Sequence, residues 1–186
     1  MLLNCDFIFL SDRKLRVLFL EGSSVIQNDG EWLHELALNN KALETLNFYN
    51  TGLDKNDIKT EDLELLARKC PNLVSVKITN CEILDLNNFF RLASSLEEFC
   101  GGNYNNIDDS RVYADVKLPA KLCRLGLTDI SNNELPFMFP LYSSYATQLT
   151  AQLKKLDIFD AFLDTADDHI TLIQRCPNLE ILVVRF

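Results

Sequence analysis

The chain has 186 residues, 47% hydrophobic and 24% charged, with six glycines and five prolines; this globular composition excludes a disordered or collagen-like chain. Twenty-seven acidic against eighteen basic residues leave a net charge of -9, a mean field that repels nucleic acid and disfavours general DNA or RNA binding. No run reaches the ~18 apolar residues that a membrane span needs, so no membrane is expected as a partner.

The opening MLLNCDFIFL is apolar, but Asp6 interrupts it and no basic residue precedes it, so a signal peptide is not expected. From Leu15 onward one phrase returns: LRVLFLEGS at Leu15, LETLNFYNT at Leu43, LVSVKITNC at Leu73, LEEFCGGNY at Leu96, LCRLGLTDI at Leu122, LKKLDIFDA at Leu153 and LEILVVRF at Leu179. Each has the form L-x-x-L-x-L, except that the fourth puts Gly101 where the last apolar residue belongs. The steps between the leading leucines are 28, 30, 23, 26, 31 and 26 residues. Self-similarity at this period is the leucine-rich-repeat signature.

The intervening stretches read as helices. DGEWLHELALNN sets Trp32, Leu33, Leu36 and Ala37 on one face, at helical spacing. In TEDLELLARKCPNL, Thr60 is the expected N-cap, Glu61 and Asp62 occupy the first turn, and Leu63, Leu66 and Ala67 share a face; caps and acids at that end satisfy free N–H groups and the helix dipole. Pro71 stops the helix. LDLNNFFRLASSL repeats the pattern with Leu86, Phe89, Phe90 and Ala93, and DTADDHITLIQRCPNL with Thr165, Asp167, Asp168, Ile170, Ile173 and Pro177. A helix that returns the chain after every strand makes successive strands parallel. Neither element can bury its apolar side alone, so the units must stack. The expected fold class is therefore α/β: a leucine-rich-repeat solenoid in a horseshoe arc, with parallel strands on the concave side and helices on the convex side. Residues 101–121 and 131–150 leave the repeat and read as irregular loops.

None of the six cysteines forms a C-x-x-C pair or has a histidine at ligand spacing. They read as reduced, buried thiols of an intracellular protein, with Cys70 and Cys176 at the inward end of a helix and Cys81 at the turn after a strand. No metal site is expected.

The phrases ARKCPNL and IQRCPNL resemble the cysteine-containing class of leucine-rich repeat found in substrate receptors of F-box ubiquitin ligases. LRVLFLEGSS, DGEWLHELALNN, ALETLNFYNTGL, EDLELLARKCPNLVSVKI, LEEFCGGNYN, LPAKLCRLGL, NELPFMFPLY and IQRCPNLEIL resemble the plant coronatine-insensitive jasmonate-receptor family, F-box/leucine-rich-repeat relatives of the auxin receptors. That resemblance implies a non-enzymatic, nuclear substrate-recognition segment. In the intact family an F-box docks on a Skp-type adaptor of a cullin ligase, and the solenoid binds an inositol phosphate and jasmonoyl-isoleucine. The hormone then joins a jasmonate-ZIM-domain repressor to the receptor for ubiquitination. Against that family, residues 1–14 form a divergent N-terminal segment and 15–186 a leucine-rich-repeat domain of about seven repeats. The chain reads as partial, without the F-box and the C-terminal repeats. Asp160 stands where the family has a tyrosine near the inositol phosphate, and an acid there repels phosphate, so no cofactor is expected. The isolated chain is accordingly expected neither to pull down a Skp-type adaptor nor to bind jasmonoyl-isoleucine. The alternative reading is a stand-alone interaction or decoy module without hormone binding, or a fragment without function.

On a solenoid strand the x places face the concave surface. The candidate binding face is Phe19, Tyr49, Lys77, Arg124, Lys155, Asp157 and Arg185, bound to a protein partner. Lys77, Arg124, Lys155 and Arg185 form either a cationic track for an anion or acidic peptide, or part of a solvated mixed-charge face. His34 and His169 have no nucleophile in local register, so no catalytic residue is expected. FCGGNYNN reads as a turn, and the acids at 107–110 and 164–168 as loop and capping charges.

Overall fold

A computed structural model describes residues 14–22, 31–51, 58–103, 116–128, 150–159, 170 and 173–185. Seven strands form one sheet in chain order. They are β1 (Val17–Phe19), β2 (Thr45–Asn47), β3 (Ser75–Glu82), β4 (Glu98–Asn103), β5 (Arg124–Thr128), β6 (Lys155–Phe159) and β7 (Ile181–Val184). Every neighbouring pair is parallel, and the second leucine-type position of each repeat falls on the same rung: Leu18, Leu46, Val76, Phe99, Leu125, Leu156 and Leu182. The architecture is the expected leucine-rich-repeat arc.

Two backbone motifs repeat with the sequence. Where the chain turns into each strand, the leading leucine's N–H donates to the carbonyl three residues back: Leu43 to Asn40, Leu73 to Cys70, Leu96 to Ala93, Leu122 to Pro119 and Leu179 to Cys176, all at 3.0–3.1 Å. Each repeat then hangs on the previous one by two N–H groups sharing a single carbonyl. Glu44 and Thr45 donate to Arg16, Val74 and Ser75 to Glu44, Glu97 and Glu98 to Val74, Cys123 and Arg124 to Glu97, Lys154 and Lys155 to Cys123, and Glu180 and Ile181 to Lys154. A single period in the sequence thus becomes a single register in space, because each unit satisfies its backbone groups on the next.

The helices are α1 (Glu31–Asn39), α2 (Thr60–Lys69) and α3 (Asn87–Leu92). Their expected faces are the buried ones: Trp32, Leu33, Leu36 and Ala37; Leu63, Leu66 and Ala67; Phe89 and Phe90, with Leu86 and Ala93 at the ends of α3. These pack on Leu46, Val76, Phe99, Leu125 and Leu156 from the sheet in one continuous core. Trp32 meets Phe48 edge-on at 5.3 Å, and Phe90 meets Phe99 edge-on at 4.9 Å.

Local expectations are corrected, and the strand alternation is broken at one place. Thr60 is the first residue of α2 rather than its cap; Lys59 takes the cap position, with no side-chain hydrogen bond. Cys81 lies within β3 rather than after it, because that strand runs on to Glu82. Ile170 and Ile173 are exposed rather than buried. Gly102 does not share the concave face of Glu98 and Cys100. Gly101 forms a bulge at φ +104°, so Gly102 pairs with Leu127 rather than with a concave-facing residue. One inserted residue flips the side-chain alternation beyond it. The stretch expected as a loop from 101 onward starts later, because β4 runs to Asn103; Thr165, Asp167, Asp168, Asp160, His169 and residues 104–115 and 131–149 of the two irregular stretches lie outside the described residues.

The concave face as candidate functional site

Side chains opposite the helices form two rows across the strands. The first runs Val17, Thr45, Ser75, Glu98, Arg124, Lys155, Ile181; the second runs Phe19, Asn47, Lys77, Cys100, Gly126, Asp157, Val183. The strands place these residues by alternation alone, since every second side chain points away from the core.

The basic residues of the expected track do not stand free. The Lys77 ammonium lies 3.2 Å from the Glu98 carboxylate on the next strand. Lys155 lies 2.8 Å from Asp157, two residues on along β6. Arg124 reaches Glu97 at 3.9 Å, and the Arg185 guanidinium sits 4.7 Å over the Phe159 ring. Three of the four cations are therefore matched by carboxylates, and the fourth is held by an aromatic face.

Glu98 is the hub. Its carboxylate accepts a 2.7 Å hydrogen bond from the Ser75 hydroxyl as well as the Lys77 contact. Burial by itself would raise its carboxyl pKa; the Ser75 hydroxyl and the Lys77 and Arg124 charges outweigh that and hold it below the ordinary value. A carboxylate lowered in the folded state stabilises the fold above its unfolded pKa, and that contribution is lost as pH falls through the folded value. Wild type is thus expected to lose stability between roughly pH 5 and pH 3 more steeply than Glu98→Gln. Parallel chemical denaturation at stepped pH checks this; identical slopes would remove Glu98 from the network.

Cys100 lies at the centre, between Lys77 and Gly126 in the second row. It is buried, and its sulfur fills the space that a Cβ on Gly126 would need. Burial pushes its thiol up to about 12, and those of Cys81, Cys70 and Cys176 to about 12, 11 and 11. At neutral pH these sulfurs are protonated, weakly nucleophilic packing groups. The Cys70 thiol donates to the Asn40 carbonyl at 3.4 Å, tying the end of one repeat to the next.

At the far ends of the strands Tyr49, after β2, and Phe159, at the end of β6, stand with ring centroids 5.5 Å apart. Four strand steps separate them in the sheet. Strands ~4.8 Å apart in a flat sheet would hold those backbones about 19 Å apart, so this rim is strongly curved. Of the candidate residues, the structure thus joins Tyr49 to Arg185 through Phe159, and Lys155 to Asp157. It leaves Phe19 by itself on β1, 63% exposed. Glu98, Ser75 and Phe159 take larger parts than the sequence pattern assigned them. Their signal was present for Glu98, because Lys77 and Glu98 occupy diagonal places on adjacent strands. On the convex side His34 Nδ1 lies 3.0 Å from Asp62 Oδ1, joining α1 to α2.

A parallel, one-rung-per-repeat sheet with helices behind it defines a leucine-rich-repeat protein, a class that binds other molecules on its concave side. Over 93% of its length the chain is 49% identical to coronatine-insensitive protein 1 of Arabidopsis thaliana, and over 94% it is 49% identical to coronatine-insensitive protein homolog 1b of Oryza sativa subsp. japonica. It spans 28% and 27% of those proteins, and is thus homologous to one segment of the coronatine-insensitive proteins. No protein-family model matches. An internalin C2 from Listeria monocytogenes is similar in fold alone, with a TM-score of 0.50 at 18% identity over 91% of this chain and 61% of that one. Among the described residues no helix is long and apolar enough to cross a membrane.

Proposed function

We propose that these repeats, residues 15–186, are part of the substrate-recognition arc of a jasmonate receptor in a nuclear Skp-cullin-F-box ubiquitin ligase. In that reading they recruit a protein partner and catalyse nothing themselves. The observation that carries the reading is the 49% identity to coronatine-insensitive protein 1 across 93% of the chain. The partner is a protein rather than a free anion, because the concave cations are already matched by Glu98, Glu97 and Asp157. Phe19, Tyr49, Lys77, Arg124, Lys155, Asp157 and Arg185 are the proposed contact face. Adaptor docking, the jasmonate-ZIM-domain repressor and jasmonoyl-isoleucine belong to the receptor as a whole, so the 186-residue chain alone should give no saturable heat with the hormone.

A segment exchange tests the proposal. The matching segment of the Arabidopsis protein is replaced by residues 15–186 of this chain, and the chimera is expressed in a coronatine-insensitive plant. Restored inhibition of root growth by coronatine is the expected result. A stably accumulating chimera that restores nothing would overturn it.

A further inference from the structure

Arg124 is the concave cation with the weakest partner. Glu98 and Lys155 flank it on one rung. Glu98 gives its two oxygens to Ser75 and Lys77 on the other side, at 2.7 and 3.2 Å. Lys155 opposes Arg124 with a like charge, a juxtaposition that by itself destabilises a sheet. Asp157 gives one oxygen to Lys155, and its other oxygen is buried without a hydrogen-bond partner. Glu97 remains, outside the two rows and 3.9 Å away, in a pair whose side chains are 42% and 45% exposed. The Arg124 guanidinium makes no hydrogen bond among the described residues, although its fork presents five donors. The next concave position on β5 is Gly126, so that strand sets no side chain beside the guanidinium in the second row. Both strands are interior ones, and residues 116–123 and 150–154, which lead into them, are described.

Charge identifies the occupant. From β3 to β6 the two concave rows carry three cations, Lys77, Arg124 and Lys155, against two carboxylates, Glu98 and Asp157. The surplus is one positive charge, in a chain whose net charge is -9. One carboxylate balances it. A phosphate group carries nearly two negative charges and would meet Glu98 and Asp157 on either side. We infer that an Asp or Glu side chain of the protein partner docks between Arg124 and Lys155, with its two oxygens on the guanidinium fork and one of them shared with the ammonium. The inference rests on the reading that the concave face recruits a protein, and it names the chemistry of one contact. Such a contact fixes the register of the partner and excludes basic or neutral competitors more than it adds affinity. It weakens as salt is raised.

The test is selection of a phage-displayed random dodecapeptide library on the full chain at low salt. Peptides held by wild type should carry Asp or Glu at one aligned position about fivefold more often than Asn or Gln, the ratio for one ion pair worth ~1 kcal/mol. Arg124→Gln and Lys155→Gln should each abolish that preference. Neither side chain is in the core, so circular dichroism should match wild type. Lys154→Gln removes the same charge from an exposed side chain paired with Glu180, and should keep the preference; it separates a local contact from a change in net charge. Selected peptides without an acidic position would overturn the inference, as would a preference that survives in both Arg124→Gln and Lys155→Gln, or one that Lys154→Gln removes equally. The selection uses no hormone, adaptor or plant, so its failure would leave the segment exchange untouched, and a chimera that restores nothing would leave the selection untouched.

Discussion

Phe99→Ala is expected to cost about 3–5 kcal/mol of unfolding free energy, the usual loss for a fully buried phenylalanine. Phe99 is 0% exposed. It holds the core rung of β4, between Val76 and Leu125. It packs edge-on to Phe90 at 4.9 Å and tilted against Phe89 at 6.3 Å, so the sheet and α3 meet on this ring. The backbone on both sides is fixed by the shared-carbonyl hydrogen bonds to Val74 and Glu97, which leaves little freedom to close the cavity. A solenoid is stabilised by contacts between neighbouring units, and this ring lies in the middle one of seven. The loss should therefore weaken the interfaces on both sides and broaden the urea transition as well as shift it. A midpoint within experimental error of wild type would mean that the aromatic cluster does not join helix to sheet.

Gly101→Ala is expected to be nearly as damaging, although it adds one methyl group. At φ +104° an alanine is strained by ~1–3 kcal/mol. The new Cβ would also fall inside the backbone carbonyl of Ile78 on the adjacent strand. That carbonyl belongs to a paired strand and cannot swing aside as a side chain would, so overlap adds about 1–3 kcal/mol. Relief would require the bulge to flatten, and flattening would return Gly102 to the concave face and shift the pairing of Gly102 with Leu127. The expected result is a loss of about 2–6 kcal/mol, with the largest rise in amide exchange in β3, β4 and β5. An alanine variant as stable as wild type would show that the bulge is not a fixed feature.

The contrast between these two residues shows how much was legible. Phe99 was readable: it holds the fourth place of L-x-x-L-x-L in LEEFCGGNY, and a period fixes both its face and its rung. Gly101 was visible only as a departure from the pattern. Its consequence, the change of face at Gly102, depends on Ile78 approaching from a strand 23 residues earlier by the repeat step. The candidate site divides in the same way. Alternation placed Lys77, Arg124, Lys155 and Asp157 on one face; it could not say that Lys77 would turn to Glu98 and Lys155 to Asp157, because long flexible side chains choose partners in space. Thr60 erred for a different reason. A threonine ahead of two acids is a good cap signal, but the helix begins one residue earlier than that signal, at a boundary where competing starts differ little in energy.

The sequence by itself determined the class of fold, the number and order of the described strands, their parallel direction, their shared rung and the buried faces of α1, α2 and α3. It could do so because one period repeated seven times permits few arrangements that bury every leucine at once. Only the tertiary structure decided which charges on the concave face are matched, where the alternation reverses, and that Tyr49 and Phe159 meet across four strand steps. Those outcomes rest on curvature and on the distance between strands. Both arise from the summed packing of all units, and no single repeat encodes them.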